Sequence, residues 1–227
     1  MPLDLSKIQA LCFDVDGTLR DTDDQYEAKL HRLFSPFYRL APKKDPRKAA
    51  RRVVMFLDTP INAVYTFLDW LHLDATVIGL MEKMNELQLR RSKAALPLIP
   101  GTKASLDALK TRYPMAVVSA RGKAGTDEFL THQELTEHFH CVASGQTTTH
   151  TKPWPDPVLW AAGEMGFAPE NCLMIGDTTV DIRSGKAAGA QTVGVLSGFG
   201  DRKELLRAGA DLIVADVAEL AEILLKK

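Results

Sequence analysis

The residues best suited to chemistry lie near the amino terminus, where an apolar run ends in two carboxylates. Residues 11–19 read Leu-Cys-Phe-Asp-Val-Asp-Gly-Thr-Leu, so Asp14 and Asp16 directly follow a β-prone segment. Gly17 and Thr18 then supply a turn in which the backbone can approach a ligand, and this turn lets the two carboxylates point differently around one small volume. The pattern predicts a reaction centre at a strand end, where one carboxylate attacks and the other handles protons.

Two carboxylates this close together also predict a bound cation. Without a cation each would raise the pKa of the other, and the attacking group would be less ionised. Oxygen-only ligands indicate Mg²⁺ rather than zinc. A calcium EF-hand is excluded because it needs Gly at its sixth position and Glu at its twelfth, whereas Gly17 falls fourth and Gln25 twelfth. An ordinary acidic turn is the non-catalytic alternative.

Composition is that of a globular protein. The 227 residues are 45% apolar and 25% charged, with a formal net charge of −1, so no basic excess points to a nucleic-acid partner. The amino terminus lacks the order of a secretory signal, and no apolar run is long enough to cross a bilayer. Cys12, Cys141 and Cys172 are odd in number and lie in or beside apolar runs, which favours buried thiols. We therefore expect a cytoplasmic protein without a membrane partner; no feature indicates an oligomeric state.

Two regions differ in periodicity. Residues 20–96 lack strand-like runs and repeat apolar residues at helical spacing, for example Val77, Leu80, Met81 and Met84. Residues 97–227 alternate short apolar runs with helical segments, a pattern typical of a parallel sheet covered on both faces. The predicted fold is α/β, a doubly wound parallel-sheet, Rossmann-like core formed by residues 1–19 and 97–227, with an all-helical insertion at 20–96.

Active sites in such sheets lie at the carboxyl ends of the strands, so other polar residues are expected there. The apolar run 115–118 ends in Ser119, and the run 172–175 ends in Gly-Asp177, with Asp181 one helical turn further on. A lone Lys152 follows the run that ends at Ala143. Taken singly, these are ordinary turn, helix-start or surface residues.

A phosphate monoester would find each group it needs in this set. Asp14 can attack phosphorus to form an aspartyl phosphate, and Asp16 can protonate the leaving group and then accept a proton from the hydrolytic water. Mg²⁺ is expected to be held by Asp14, the backbone carbonyl of Asp16, and Asp177.

The other three residues have supporting roles in this interpretation. Ser119 and a following amide, such as that of Ala120, can hold a phosphate oxygen, and Lys152 offers a compact positive charge. Asp181 can orient Lys152 or a water bound to the metal.

In order and spacing, these motifs resemble the haloacid dehalogenase-like hydrolase superfamily. The four matching segments are Asp14–Leu19, Ser119, Lys152–Asp156 and Gly176–Ile182. The segments 185–189, 197–200 and 205–211 resemble its phosphoglycolate-phosphatase-like branch, in which a helical cap occupies the place of residues 20–96. The resemblance implies a Mg²⁺-dependent phosphatase acting on a small phosphorylated metabolite.

The substrate and two other functions stay open at this stage. Phosphoglycolate, pyrophosphate, nucleotides and sugar phosphates are all compatible with the motifs. A phosphomutase of the same superfamily, or a non-catalytic binding protein on the same fold, are the alternatives. The basic cluster within the insertion is interpreted as a solvated face rather than a substrate contact. Its residues are Lys43, Lys44, Arg47, Lys48, Arg51 and Arg52.

Overall fold

The carboxylate pair follows the first strand, β1, Ala10–Phe13, which lies inside a six-stranded parallel sheet. The structure is a computed structural model that describes residues 3–21 and 97–226. These residues belong to one compact unit. The insertion predicted at 20–96 and its basic cluster lie, from residue 22 onward, outside the described residues.

The described chain alternates strands and helices after residue 97, as the periodicity predicted. The strands are β1 Ala10–Phe13, β2 Met115–Val118, β3 Cys141–Ala143, β4 Cys172–Gly176, β5 Gln191–Val195 and β6 Leu212–Val214. The helices of this part are α1 Thr102–Lys110, α2 Lys123–His132, α3 Asp156–Met165, α4 Thr179–Ala188, α5 Arg202–Ala208 and α6 Val217–Leu225. Short 3₁₀ helices cover Leu5–Lys7, Thr136–His138 and Pro169–Asn171.

The strand order, β3-β2-β1-β4-β5-β6, places the start of the chain at the centre of the sheet. From β1 the chain builds outward to β2 and β3, then crosses to the other side of β1 and continues through β4, β5 and β6. The direction of winding therefore reverses between β1 and β4, and ligands in open parallel sheets bind at the carboxyl side of such a point.

The central strands are apolar on both faces because helices cover both. Ala10 and Cys12 face the core that contains helix α3, and the alternation of a strand directs Leu11 and Phe13 to the opposite face. All four residues of β1 and of β2 are buried. This burial on both faces confirms the predicted doubly wound parallel sheet.

Every described helix is too short or too polar to cross a membrane.

Candidate active site

Three of the predicted site residues follow neighbouring strands at one edge of the sheet. Asp14 follows β1, Ser119 follows β2 and Asp177 follows β4, and both β2 and β4 pair with β1. The ladder reaches the site itself, since the Asp14 amide donates to the Ile175 carbonyl at 2.9 Å. All three side chains are buried. Residues from sequence positions up to about 160 apart are thus brought together by strand order.

Lys152 reaches this edge from the segment between β3 and α3 and joins two of the carboxylates. Its Nζ lies 2.6 Å from Asp14 Oδ1 and 2.6 Å from Asp181 Oδ1. The second oxygen of Asp181 accepts from the Thr178 amide at 3.0 Å and from its hydroxyl at 2.6 Å, which completes a capping box at the start of α4. The helix start therefore fixes Asp181, and Asp181 in turn fixes Lys152.

Burial and neighbouring charges shift the pKa values of Asp14 and Lys152. Burial raises the pKa of Asp14 to about 7, against the opposing effect of Lys152 and with a further rise from Asp181. Burial alone would lower the pKa of Lys152, but Asp14 and Asp181 together raise it above its ordinary value, so this residue stays charged. Asp14 is consequently poised between its neutral and ionised forms near neutral pH.

Two glycines lie in close contact with the Asp177 carboxylate. Its Oδ2 accepts a hydrogen bond from the Phe199 amide at 2.7 Å. A Cβ placed on Gly17, whose φ is +78°, or on Gly198 would collide with the Asp177 carboxylate, and Ser197 Oγ donates to the Gly17 carbonyl at 2.8 Å. Only glycine allows the two turns to approach the carboxylate this closely.

The residues at this edge fit a divalent cation. Asp14, Asp177 and Asp181 each offer an oxygen, and these oxygens lie within 4.8 Å of one another. Within the described residues, Asp177 Oδ1 is buried and has no hydrogen-bond partner. Burial, with the charges of Asp181 and Asp14, also holds the pKa of Asp177 well above its usual range. A cation bound by oxygen ligands would remove both costs, and Mg²⁺ favours such ligands.

Asp16 contacts two arginines that the sequence interpretation did not identify. Arg121 Nη1 lies 2.9 Å from Oδ1 and 3.3 Å from Oδ2 of Asp16, and Arg20 Nη1 lies 3.1 Å from Oδ1. Arg121 lies two residues after Ser119, which follows the end of β2. Arg20 closes the tight turn that begins at Val15, because its amide donates a hydrogen bond to the Val15 carbonyl at 2.9 Å. The position of Arg121 just after a strand end was the signal available in the sequence.

Ser119 is buried at the start of the β2–α2 loop. Its Oγ accepts from the Arg121 amide at 3.2 Å, and its own amide donates to the Ala143 carbonyl at 2.8 Å. The Arg121 carbonyl accepts from the Gly145 amide at 2.7 Å, which ties this loop to the one that follows β3. The hydroxyl predicted to hold a phosphate oxygen is thus fixed by backbone contacts from both sides.

Several known proteins are similar to this chain over nearly its whole length. A pyrophosphatase PpaX from Oceanobacillus iheyensis is 25% identical over 217 residues, which cover 95% of this chain and 96% of the relative. A phosphoglycolate phosphatase from Neisseria meningitidis is 29% identical over 225 residues, covering 96% of this chain and 94% of the relative. A crystal structure of a hydrolase from Pseudomonas syringae matches with a TM-score of 0.71 at 23% identity, covering 95% of this chain and 97% of that one.

A family model described as haloacid dehalogenase-like hydrolase matches residues 11–195, which extend from β1 through β5 and include every predicted site residue. The match confirms the membership that the four motifs predicted. The chain belongs to the haloacid dehalogenase-like hydrolases.

Proposed function

We propose that this hydrolase is a Mg²⁺-dependent phosphatase that acts on a small phosphomonoester through an aspartyl phosphate at Asp14. The observation that supports it most is the placement of Asp14, buried at a strand end, 2.6 Å from Lys152 and beside an Asp177 oxygen that has no partner in the described part of the chain. A nucleophile, a fixed positive charge and a cation site thus adjoin one another.

The first proposed step transfers the phosphoryl group to the protein. An oxygen of Asp14 forms a bond to phosphorus while the bond to the ester oxygen breaks, and Asp16 gives its proton to the departing oxygen. In the second step Asp16 takes a proton from a water molecule, which attacks phosphorus. The bond to Asp14 breaks, so inorganic phosphate leaves and both carboxyl groups return to their starting state.

Mg²⁺ would be held by Asp14, the backbone carbonyl of Asp16, and Asp177, with Asp181 acting through a water molecule or through Lys152. When bound, it supplies positive charge against the dianionic phosphoryl group. Asp14 must be ionised to attack, and its pKa of about 7 in the metal-free protein makes a neighbouring cation valuable.

Ser119 and Lys152 are proposed to bind the phosphoryl oxygens. The Ser119 hydroxyl is buried and its oxygen accepts a hydrogen bond from the Arg121 amide, so the hydroxyl proton can be donated to a phosphoryl oxygen. Lys152 is buried and kept charged by two carboxylates, which makes it a fixed cation rather than a solvated one.

The names of two relatives support a small phosphorylated metabolite as the proposed substrate. One carries the name pyrophosphatase and another phosphoglycolate phosphatase. We extend this class to the present chain as a proposal, with no nucleic-acid or membrane partner. The cytoplasm is the proposed location, because Cys12, Cys141 and Cys172 are all free thiols, which a reducing compartment maintains.

The test is phosphate release by the full-length protein, stripped with EDTA and assayed with and without Mg²⁺ on p-nitrophenyl phosphate and a metabolite panel. We expect Mg²⁺-dependent release, abolished by Asp14→Asn. Asp127→Asn is the matched control, because Asp127 is a half-exposed carboxylate that pairs with Lys123 at 2.8 Å and has no role in the proposed mechanism.

Other outcomes identify the alternatives. Activity that survives Asp14→Asn contradicts the mechanism. Formation of a sugar bisphosphate without free phosphate indicates a phosphomutase. Mg²⁺ binding with no turnover on the whole panel indicates a non-catalytic binding protein.

A further inference from the structure

We propose that Arg121 is a specificity-determining residue, which recognises a second anionic group on the leaving side of the substrate and, in doing so, releases Asp16 for proton transfer. The inference rests on the proposed phosphatase function. It adds a substrate class and the residue that recognises substrates of this class.

The starting observation is that both oxygens of Asp16 are engaged. Arg121 Nη1 contacts Oδ1 at 2.9 Å and Oδ2 at 3.3 Å, and Arg20 adds a third contact at 3.1 Å to Oδ1. A carboxyl group that donates a proton to a leaving oxygen must direct one of its oxygens at that atom. The pairing seen here therefore describes the protein before substrate arrives, and at least one contact must change during the reaction.

The two arginines differ in their freedom to change. The Arg20 side chain is 10% exposed and belongs to the turn that carries Asp16, whereas Arg121 is 20% exposed and extends from the β2–α2 loop toward an Asp16 that is itself 33% exposed. Arg121 is thus the more exposed of the two arginines. It is the partner that an incoming molecule can reach.

Geometry then limits the group that Arg121 would meet. Its guanidinium lies one hydrogen bond from Asp16, and Asp16 must lie one hydrogen bond from the leaving oxygen, so the guanidinium and that oxygen are within about 6 Å of each other. A carboxylate or phosphate attached directly to the leaving oxygen, or one or two carbon atoms away from it, falls within this reach.

Charge favours replacement of the Asp16 carboxylate by a second anionic group of the substrate as the partner of Arg121. A guanidinium presents donors in a planar fork that matches a carboxylate or phosphate, so a second anion on the substrate can replace the Asp16 carboxylate as its partner. A neutral leaving group offers no replacement, and Arg121 then stays on Asp16. The substrate class is a phosphomonoester or pyrophosphate with a second acidic group close to the scissile bond.

A purely structural role for Arg121 predicts something different. If Arg121 only orients Asp16 or supports its loop, removing it lowers turnover of all phosphomonoesters by a similar factor. If Arg121 recognises a second anion, its removal lowers kcat/KM only for substrates that carry this anion, chiefly by raising KM. It does not lower kcat for neutral substrates, because Asp16 is then free of Arg121.

The experiment compares 2-phosphoglycolate with 2-hydroxyethyl phosphate, which replaces the carboxylate by a neutral hydroxymethyl group. We measure kcat and KM of the full-length protein with Mg²⁺ for wild type, Arg121→Gln, Arg121→Lys and Lys123→Ala. Lys123 is the matched control, since it is a nearby cation, 69% exposed and paired with Asp127. We expect wild type to prefer 2-phosphoglycolate at least tenfold. Arg121→Gln should remove most of this preference by raising KM, Arg121→Lys should keep part of it, and Lys123→Ala should leave it unchanged.

Three results overturn the proposal. If wild type shows no preference for 2-phosphoglycolate, the proposed substrate class, with a second acidic group close to the scissile bond, is wrong. Equal losses on both substrates in Arg121→Gln and Arg121→Lys assign Arg121 a structural role. Absence of phosphate release from every substrate by wild type refutes the proposed phosphatase itself, and with it the role of Arg121.

Discussion

At the scale of single residues, the Asp177 carboxylate is the observation that most favours the proposed cation site. It is buried, one oxygen has no partner among the described residues, and burial with two neighbouring carboxylates holds its pKa well above its usual range. A buried carboxylate that contributed only to folding would be expected to have its hydrogen bonds satisfied. Without a metal ion, burial of this carboxylate destabilises the folded protein.

Asp177→Asn removes the charge and keeps the shape, so it separates a metal site from a structural role. Above pH 7 we expect the metal-free variant to be at least as stable as metal-free wild type, because position 177 then has no buried carboxylate to ionise. The variant should lose both activity and the rise in Tm that Mg²⁺ gives wild type. Thermal unfolding at pH 8 with EDTA or Mg²⁺ measures both effects, and an undiminished Mg²⁺ response in the variant would argue against Asp177 as a ligand.

Asp16→Asn tests proton donation to the leaving group. We expect kcat/KM for an alkyl phosphate, which reports the steps up to departure of the leaving group, to fall about 10²–10⁴-fold, the usual contribution of a positioned acid or base. The loss for p-nitrophenyl phosphate should be smaller, because nitrophenolate departs without needing a proton. The comparison uses kcat/KM on both substrates, because hydrolysis of the aspartyl phosphate, which also needs Asp16, is common to both and can equalise kcat. An equal loss of kcat/KM on the two substrates is the result that proton donation does not allow.

At the scale of elements, the turns after β1 and β5 are shaped by what they enclose. Gly17 and Gly198 approach the Asp177 carboxylate so closely that a methyl group on either would overlap it. The Ser197 hydroxyl and the Phe199 amide, which flank Gly198, bond to Gly17 and Asp177. The loop after β5 therefore determines how Asp177 is presented, although none of its side chains is assigned to the chemistry.

Gly198→Ala should accordingly displace Asp177 and weaken both activity and Mg²⁺ binding. Gly163→Ala is the matched control, because a Cβ at this position within α3 meets nothing within 4 Å. We expect the control to keep activity and to gain roughly 0.5–1 kcal/mol in the free energy of unfolding, as an alanine replaces a helical glycine. Activity assays and denaturant unfolding test the pair, and a fully active Gly198→Ala would contradict the close approach.

Helices, strands and the residues at strand ends could be predicted from the sequence, whereas contacts made by the loops could not. Six strands and six helices of the core follow from periodicity, and the residues at strand ends, Asp14, Ser119 and Asp177, could be named because parallel strands present their carboxyl ends together. Arg121 and the Phe199 amide could not be assigned to Asp16 and Asp177 in this way. Their contacts depend on loop conformation and on side-chain direction, which hydrophobic periodicity does not encode.

At the scale of the whole molecule, the buried carboxylates couple folding to pH, and the proposed Mg²⁺ site would couple it to metal as well. Burial raises the pKa of Asp14 from its ordinary 3.8 to about 7, so between these values Asp14 binds more protons in the folded protein than in the unfolded chain. The contribution of Asp14 to the free energy of unfolding of the metal-free protein therefore falls as pH rises through this window, and the contribution of Asp177 changes in the same direction. Lys152, whose pKa is raised above its ordinary value, stays charged throughout.

Mg²⁺ should restore this stability where the carboxylates are ionised. We expect a larger rise in Tm on adding Mg²⁺ at pH 8 than at pH 5, with each kcal/mol corresponding to roughly 2–4 °C in a chain of this size. Calorimetry of EDTA-treated protein at the two pH values makes the measurement, with Asp177→Asn as the control. Equal Mg²⁺ responses at both pH values would contradict the coupling.

The central claim is that Asp14 carries the phosphoryl group during turnover. Wild-type protein mixed with substrate and Mg²⁺, quenched in acid within one turnover and digested, can be searched by mass spectrometry for a phosphorylated peptide. The account predicts one phosphoryl group on the peptide that contains Asp14, and none in the Asp14→Asn variant. A phosphoryl group on another residue, or phosphate release at full rate with Asp14 unmodified throughout, would contradict it.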